Sequence, residues 1–221
     1  IPDRIFEPAP PESSLFDKTI RSWLMSSPPG EAVGYRTHFL AETLRSEAAR
    51  CREAGRSPRI FSIARGPIQE LEEFLGESEA QAPARFTLLG FSREAVMETR
   101  DAVNRMRRLR RPSIQAEFVG KSVNQFLSEG NRLIKGENCS VGGKAIQREQ
   151  YDVIYCSSLF HHFSDRVCQR FMEIFYEMLA PGGLIVVSDL TPRNPLRHLM
   201  NFVLDENLIH RTRQEMLALV P

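Results

Sequence analysis

Apolar residues gather in five short continuous runs, and the stretches between them repeat at helical spacing. The runs are Arg59–Ala64, Phe86–Leu89, Ile114–Val119, Asp152–Cys156 and Leu184–Val187. Each is rich in β-branched or aromatic residues and bounded by polar or turn residues, so each predicts a buried strand. Between the fourth and fifth runs, Val167, Phe171, Ile174, Phe175 and Met178 place one apolar face on a helix. Ser164 and Asp165 stand where that helix would be capped, and Pro181-Gly182-Gly183 where it would stop. Strand, helix, strand with both strands apolar throughout predicts a βαβ unit in a sheet covered on both faces. Ligands of such sheets sit beyond the carboxyl ends of the strands. Here those ends carry Cys156-Ser157-Ser158 with His161-His162, and Ser188-Asp189.

Upstream of the strands, residues 1–11 are Pro-rich and predict an extended arm. Leu15, Ile20, Trp23 and Leu24 predict a short amphipathic helix ended by Ser26-Ser27-Pro28-Pro29-Gly30. A longer helix is expected from about Glu31 to Ala54, with Val33, Phe39, Leu40, Leu44 and Ala48 inward. These two helices would either cover the strand ends as a lid or pack plainly on the sheet. After the first strand, Arg65-Gly66-Pro67 turns the chain into a helix from Ile68, with proline in the first turn where its missing N–H costs nothing. That arrangement aims backbone N–H groups at a cofactor. Further helices are expected from Arg93, around Val123, Phe126 and Leu127, over Leu196–Leu208 and from Thr212, with a loop over Leu133–Gln150. The sum is an α/β protein: a Rossmann-like doubly wound, mostly parallel sheet with helices on both faces and an N-terminal helical lid. Residues 1–57 would form the arm and lid, and 58–221 the core.

Composition narrows the function classes. Lys and Arg total 29 against 28 Asp and Glu, a formal charge of +1, so no strong field favours nucleic acid or an anionic membrane. The basic stretch Arg105–Arg111 is explained by a solvated helix end. No apolar run approaches the roughly 18 residues of a membrane span. The opening Ile1-Pro2-Asp3-Arg4 has no leader pattern, and the chain reads as an excised piece acting in the cytoplasm. Cys51, Cys139, Cys156 and Cys168 lack metal spacing and are expected to be free thiols. His161-His162 lack a third ligand at helical spacing, so no metal is expected. The three-glycine dinucleotide fingerprint is missing, which argues against a dinucleotide oxidoreductase.

Five stretches in order resemble the class I S-adenosylmethionine-dependent methyltransferases: Ala32–Leu40, Arg59–Leu71, Tyr151–Asp165, Leu179–Leu190 and Leu208–Leu217. More narrowly, they resemble the bacterial subgroup associated with biosynthesis of a 3-hydroxypalmitic acid methyl ester signal. The resemblance implies S-adenosylmethionine as cofactor. Ala64, Arg65 and Gly66 would form the turn beneath its methionine part, with Glu70 on the next helix. Gly90, Phe91 and Ser92 would face the ribose, Ser122 and Val123 the adenine, and Cys156 to Ser158 the sulfonium. His161, His162 and Asp189 would look into the acceptor pocket as catalytic residues, with Tyr35, Arg36 and Arg211 bordering it on the substrate side.

The chain departs from that pattern. Gly90 stands where the superfamily carries a carboxylate for the ribose hydroxyls, with Glu94 one turn on, and Arg65 stands in the glycine turn. The subgroup has an Asp-Tyr pair where this chain has His161-His162, and an aromatic at Glu206. The resemblance also implies a β-hairpin after the last helix seen here. Without it the fifth strand would expose an edge, to be covered by a second copy or a neighbouring domain. A carboxylate acceptor would need a cationic clamp, and a hydroxyl acceptor a base, for which either histidine suits. The readings left open are O-methylation of a small molecule, a non-catalytic binding module of the same fold, and other chemistry with the same cofactor. If Gly90 marks a lost ribose contact, Gly90→Asp is expected to tighten cofactor binding.

Overall fold

The five apolar runs become five strands in a computed structural model that describes residues 12–63, 68–76, 84–110, 114–136, 150–202 and 207–221. They are β1 (Arg59–Ile63), β2 (Ala84–Gly90), β3 (Ile114–Gly120), β4 (Tyr151–Cys156) and β5 (Leu179–Val187). All pair in parallel, in the order β3-β2-β1-β4-β5. The order reverses at β1, so the crevice between the carboxyl ends of β1 and β4 is the topological switch point.

Helices α1 (Leu15–Met25) and α2 (Pro28–Glu53) precede the sheet. Then follow α3 (Gln69–Gly76), α4 (Arg93–Arg110), α5 (Val123–Ile134), α6 (Asp165–Met178), α7 (Arg197–Phe202) and α8 (Arg213–Leu217). Successive strand residues point to opposite faces, which divides the core in two. Ile60, Phe86, Leu88, Val153 and Tyr155 pack with Leu40, Leu44, Leu71, Phe74 and Val103 from α2, α3 and α4. Phe61, Leu89, Ile154 and Cys156 pack with Phe126 from α5 and Phe171, Ile174, Phe175 and Met178 from α6. The Phe126 and Phe171 rings stack at 5.3 Å, and truncating either to alanine would cost about 3–5 kcal/mol. Gly130 lets α5 approach α6, since a Cβ there would run into Ile174.

Several elements differ from the reading of the sequence. α1 ends at Met25, before the Ser26-Ser27 step as expected, but the second helix starts earlier than Glu31: Pro28 and Pro29 open α2, where a missing N–H is harmless. The Pro181-Gly182-Gly183 turn lies inside β5, as a bulge in the pairing: Tyr151 faces Leu179 and Val153 already faces Leu184. α7 is six residues long, and 203–206 lie outside the described residues. Phe39, expected inward, is 60% exposed, and Trp23 is 55% exposed. The reason is that α2 turns Leu40, Ala41 and Leu44 to the sheet, and α1 buries only Leu24, against Met200 and Leu208. Of the expected loop, 137–149 lie outside the described residues, and α5 extends through Ile134.

Candidate functional site

The carboxyl ends of β4 and β5 carry a dense polar cluster. After Cys156 the chain runs through Ser157 and Ser158 into a 3-10 turn, Phe160–His162, and then α6. After Val187 it runs through Ser188 and Asp189. The two exits are tied together: Ser188 N–H donates to the Cys156 carbonyl at 3.3 Å, and the Ser188 hydroxyl to the Ser157 carbonyl. Arg36 Nη1, on α2, donates to the same Ser157 carbonyl at 3.0 Å. Thus α2 is pinned to the end of β4. Tyr35, one position before, points outward.

The segment from Leu208 to Thr212 crosses above these exits. Its Ile209 N–H donates to the His161 carbonyl at 2.9 Å, and its Arg211 N–H to the Leu190 carbonyl at 2.8 Å. The Arg211 side chain turns inward. Nε donates to Asp165 Oδ1 at 2.8 Å, and Nη1 to the Phe160 carbonyl at 3.0 Å and to Asp189 Oδ2 at 2.6 Å. Nη2 donates to the Phe163 carbonyl at 2.6 Å. Arg211 therefore does not stand as an open clamp on the acceptor: its fork braces the β4–α6 connection against Asp189. Burial works against its charge, but the bonds to Asp189 and Asp165 outweigh that and raise its pKa.

Asp189 Oδ1 accepts from the Leu190 N–H at 2.8 Å and lies 3.7 Å from His161 Nδ1. Burial lifts the Asp189 pKa above the ordinary carboxylate value, and Arg211 and the Leu190 N–H offset part of that lift. The partner of Asp189, the Arg211 guanidinium, cannot lose its proton. His161 is buried, and its ring lies 4.4 Å from that of His162. The structure thus brings together His161, His162, Asp189, Ser157, Arg36 and Arg211. Cys156 is wholly buried in the core beneath them.

A second feature opens at the carboxyl ends of β2 and β3. A cavity of about 640 Å³ is lined by Gly90, Phe91, Ser92, Gly120, Ser122 and Gln125, with Arg93, Arg100 and Lys121 at its sides. That volume lies within the roughly 300–1,000 Å³ of small-molecule sites. Ser92 and Ser122 each begin a helix. The Ala95 N–H donates to Ser92 Oγ at 3.1 Å, and Ser122 and Gln125 form a reciprocal capping box. Val123 packs beneath, in the aromatic core, not on the cavity wall. Glu70 is buried beside Tyr155 and Ser62 on the opposite face of the sheet, and with burial it pushes the Tyr155 phenol well above its usual pKa.

The cavity lies where the resemblance would place an adenosine, but the end of β2 offers no carboxylate to a ribose. The cause is steric: a Cβ on Gly90 would sit 2.7 Å from Val96 Cγ2 and 3.1 Å from Val96 N, because the first turn of α4 packs directly on it. Glu94 turns back to its own N–H and to Ser92, which lowers its pKa. Ala64, Arg65 and Gly66 lie outside the described residues. Reading the sequence missed Gln125, Lys121, Arg93 and Arg100 on the cavity. Only Gln125 carried a local signal, three residues after Ser122. Among the described residues, no group of three or more His, Cys, Asp or Glu is arranged to hold a metal.

A family model described as a methyltransferase domain matches residues 66–216. Comparison with curated proteins found no match. Among solved structures, the magnesium protoporphyrin IX methyltransferase of Synechocystis PCC 6803, determined with bound SAH, superposes with a TM-score of 0.50. It has 13% identity, over 98% of this chain and 78% of its own. The pyocyanin biosynthetic protein PhzM aligns with a TM-score of 0.49 and 16% identity, over 74% of this chain and 43% of its own. A SAM-dependent methyltransferase of Leishmania major aligns with a TM-score of 0.46 and 15% identity, over 74% of this chain and 52% of its own. The chain thus spans about half the length of the last two proteins. At these identities the likeness is one of fold. The family match covers more than half of the chain, and it joins a five-stranded parallel sheet whose crevice and nucleoside-sized cavity lie at the carboxyl ends; the chain belongs to the methyltransferase-domain family, with the class I S-adenosylmethionine-dependent fold.

Proposed function

We propose that this chain transfers a methyl group from S-adenosylmethionine to an oxygen of a small molecule, a carboxylate or a hydroxyl. The observation that supports this reading best is the His161–Asp189–Arg211 cluster at the carboxyl ends of β4 and β5, beside the switch point. When bound, the cofactor supplies a methyl sulfonium, a good leaving group for in-line displacement. The chain's own task is to align the acceptor and exclude water, worth up to about 7–11 kcal/mol for ideal alignment. Gly90, Ser92, Ser122 and Gln125 would hold the adenosine. Ser157 and Ser158 would border the sulfonium. α1 and α2 would act as the lid, with Arg36 as the hinge-side contact to β4.

For a hydroxyl acceptor, His161 takes the proton. Asp189 faces Nδ1 and stabilises the imidazolium that forms, while Arg211 keeps Asp189 in place. For a carboxylate acceptor no base is needed, and His161, His162 and Arg36 donate to its oxygens. The finer reading is carboxyl methylation of a long-chain 3-hydroxy acid. It is supported by the five matching stretches and by the apolar Trp23, Tyr35 and Phe39 exposed on the first two helices. A second copy or a neighbouring domain would cover the outer edge of β5.

The test is transfer of a labelled methyl group to a panel of hydroxy acids and simple carboxylic acids, with His161→Gln and Asp189→Asn beside the parent chain. Activity on one class that falls at least tenfold in both variants is expected. Undiminished transfer in both would remove the cluster from the mechanism. One observation favours a second reading, a binding module without catalysis: Val96 occupies the ground where a ribose carboxylate would stand. Calorimetry separates the two. Micromolar binding of S-adenosylmethionine and its demethylated product supports the enzyme, and no heat at millimolar ligand supports the module.

A further inference from the structure

The opposite pole of the sheet carries a second, unrelated cavity. It lies at the amino ends of β1 and β2, has a volume of about 410 Å³, and is lined by Arg56, Ser57, Arg59 and Arg85. With strands of five to seven residues rising about 3.3 Å each, this pole lies roughly 20 Å from the adenosine-sized cavity. Among the described residues, three of the four that line it are arginines and none is an acid.

Two of those arginines are set in place by one buried carboxylate. Asp152 on β4 is 1% exposed. Oδ1 pairs with Arg56 Nη1, and Oδ2 accepts from the Arg59 N–H at 2.8 Å and faces Arg59 Nε at 3.5 Å. The third arginine is positioned by the ladder. Arg59 and Arg85 are register partners in adjacent parallel strands, so both side chains leave the same face about 4.8 Å apart at the backbone. Like charges set side by side across a ladder are destabilising unless something negative lies between them. Among the described residues, the nearby acids are Asp152, which pairs with Arg56 and Arg59, Glu47, which acts on Arg56, and Glu117 on β3, which acts on Tyr151 and lies two positions past Gln115, the register partner of Arg85. α4 ends at Arg110, four positions before β3 begins, so its basic last turns, with Arg105 and Arg108, lie toward the same pole.

We propose that this cavity is an oxyanion site, built for the phosphate group of a small ligand. A phosphate offers paired oxygens to planar guanidinium forks, the geometry in which arginine exceeds lysine. The site holds the phosphate between Arg59 and Arg85, with Arg56 and the Ser57 hydroxyl at the rim. It is independent of the methyl-transfer reading, because it touches none of the residues assigned to it.

The experiment follows thermal unfolding of the whole chain in 0–5 mM inorganic phosphate at constant ionic strength, with chloride as the balancing anion. Arg85→Gln is the deciding variant, because Arg85 does not hold Asp152. Phosphate is expected to raise Tm of the parent in a saturating manner, and Arg85→Gln to abolish that rise while unfolding no earlier than the parent without phosphate. Arg85→Lys should keep part of it. A second arm mixes both proteins with vesicles of phosphatidylcholine with or without phosphatidic acid. Co-sedimentation with phosphatidic acid that Arg85→Gln removes assigns the phosphate to a lipid headgroup; no co-sedimentation with a retained Tm rise assigns it to a free phosphate ester. A Tm rise of equal size in the parent and Arg85→Gln, or none in the parent, overturns the proposal.

Discussion

Arg211 Nη1 donates to Asp189 Oδ2 at 2.6 Å, with both side chains 2% exposed. The two residues belong to different elements, one to the segment before α8 and one to the exit of β5. Breaking a buried pair on one side leaves an unpaired charge, which costs about 3–5 kcal/mol. Arg211→Met should therefore lower the unfolding free energy from urea titration by that amount, and Arg211→Met with Asp189→Leu should recover a large part of it. Strict additivity in the double-mutant cycle would mean that the pair is not coupled.

Gly90 leads to a prediction opposite to the one that its sequence position suggests. Gly90→Asp should not tighten cofactor binding, because its Cβ meets Val96. Overpacking of this kind costs about 1–3 kcal/mol. A lower Tm with weaker or unchanged affinity is expected, and Val96→Ala should restore part of the stability of Gly90→Asp by removing the nearer contact. Tighter calorimetric binding in the single variant would show that α4 yields.

Asp152 sets the acid limb of the stability curve. Burial alone would raise its pKa, but the hydrogen bonds of Arg56 and of the Arg59 N–H, with both charges, hold it below the ordinary 3.8. Between the lowered folded value and 3.8 the unfolded chain binds more protons, so this stabilisation is complete above 3.8 and lost as pH falls below it. Asp189 has the opposite sign: its raised pKa makes stability decline as pH rises from 3.8 through the folded value. Tm measured from pH 3 to pH 7 should lose less on acidification in Asp152→Asn than in the parent, and more in Asp189→Asn.

Cys168 should be inert while the chain is folded. It is wholly buried, its thiol lies 3.5 Å from the Phe160 carbonyl, and burial pushes its pKa to about 11. At pH 8 almost no thiolate is present, so iodoacetamide should modify it no faster than the chain unfolds. Cys51 and Cys156, equally buried, should behave alike. Rapid labelling of Cys168 in native buffer would place it nearer solvent than the structure does.

What the chain settles by itself is local. Continuous apolar runs such as Val153–Cys156 cannot be exposed on either face, so a parallel sheet covered by helices follows from them, and with it the end at which a ligand sits. Ser122 and Thr212 declare helix starts, because the capping bonds span three residues. Tertiary structure decides whatever joins distant positions. The Pro181-Gly182-Gly183 stretch becomes a bulge only because Val153 pairs with Leu184. Phe39 faces solvent because Leu40 and Leu44 already fill the sheet side of α2. Arg211 looks like a pocket residue until Asp189, Asp165 and two carbonyls claim its fork. Gly90 looks like a lost carboxylate until Val96 occupies the space. In each case a side chain's role depends on which partner the fold brings within a few ångströms. Spacing along the chain carries no such distance, because the paired residues come from elements whose approach is set by the packing of the whole sheet.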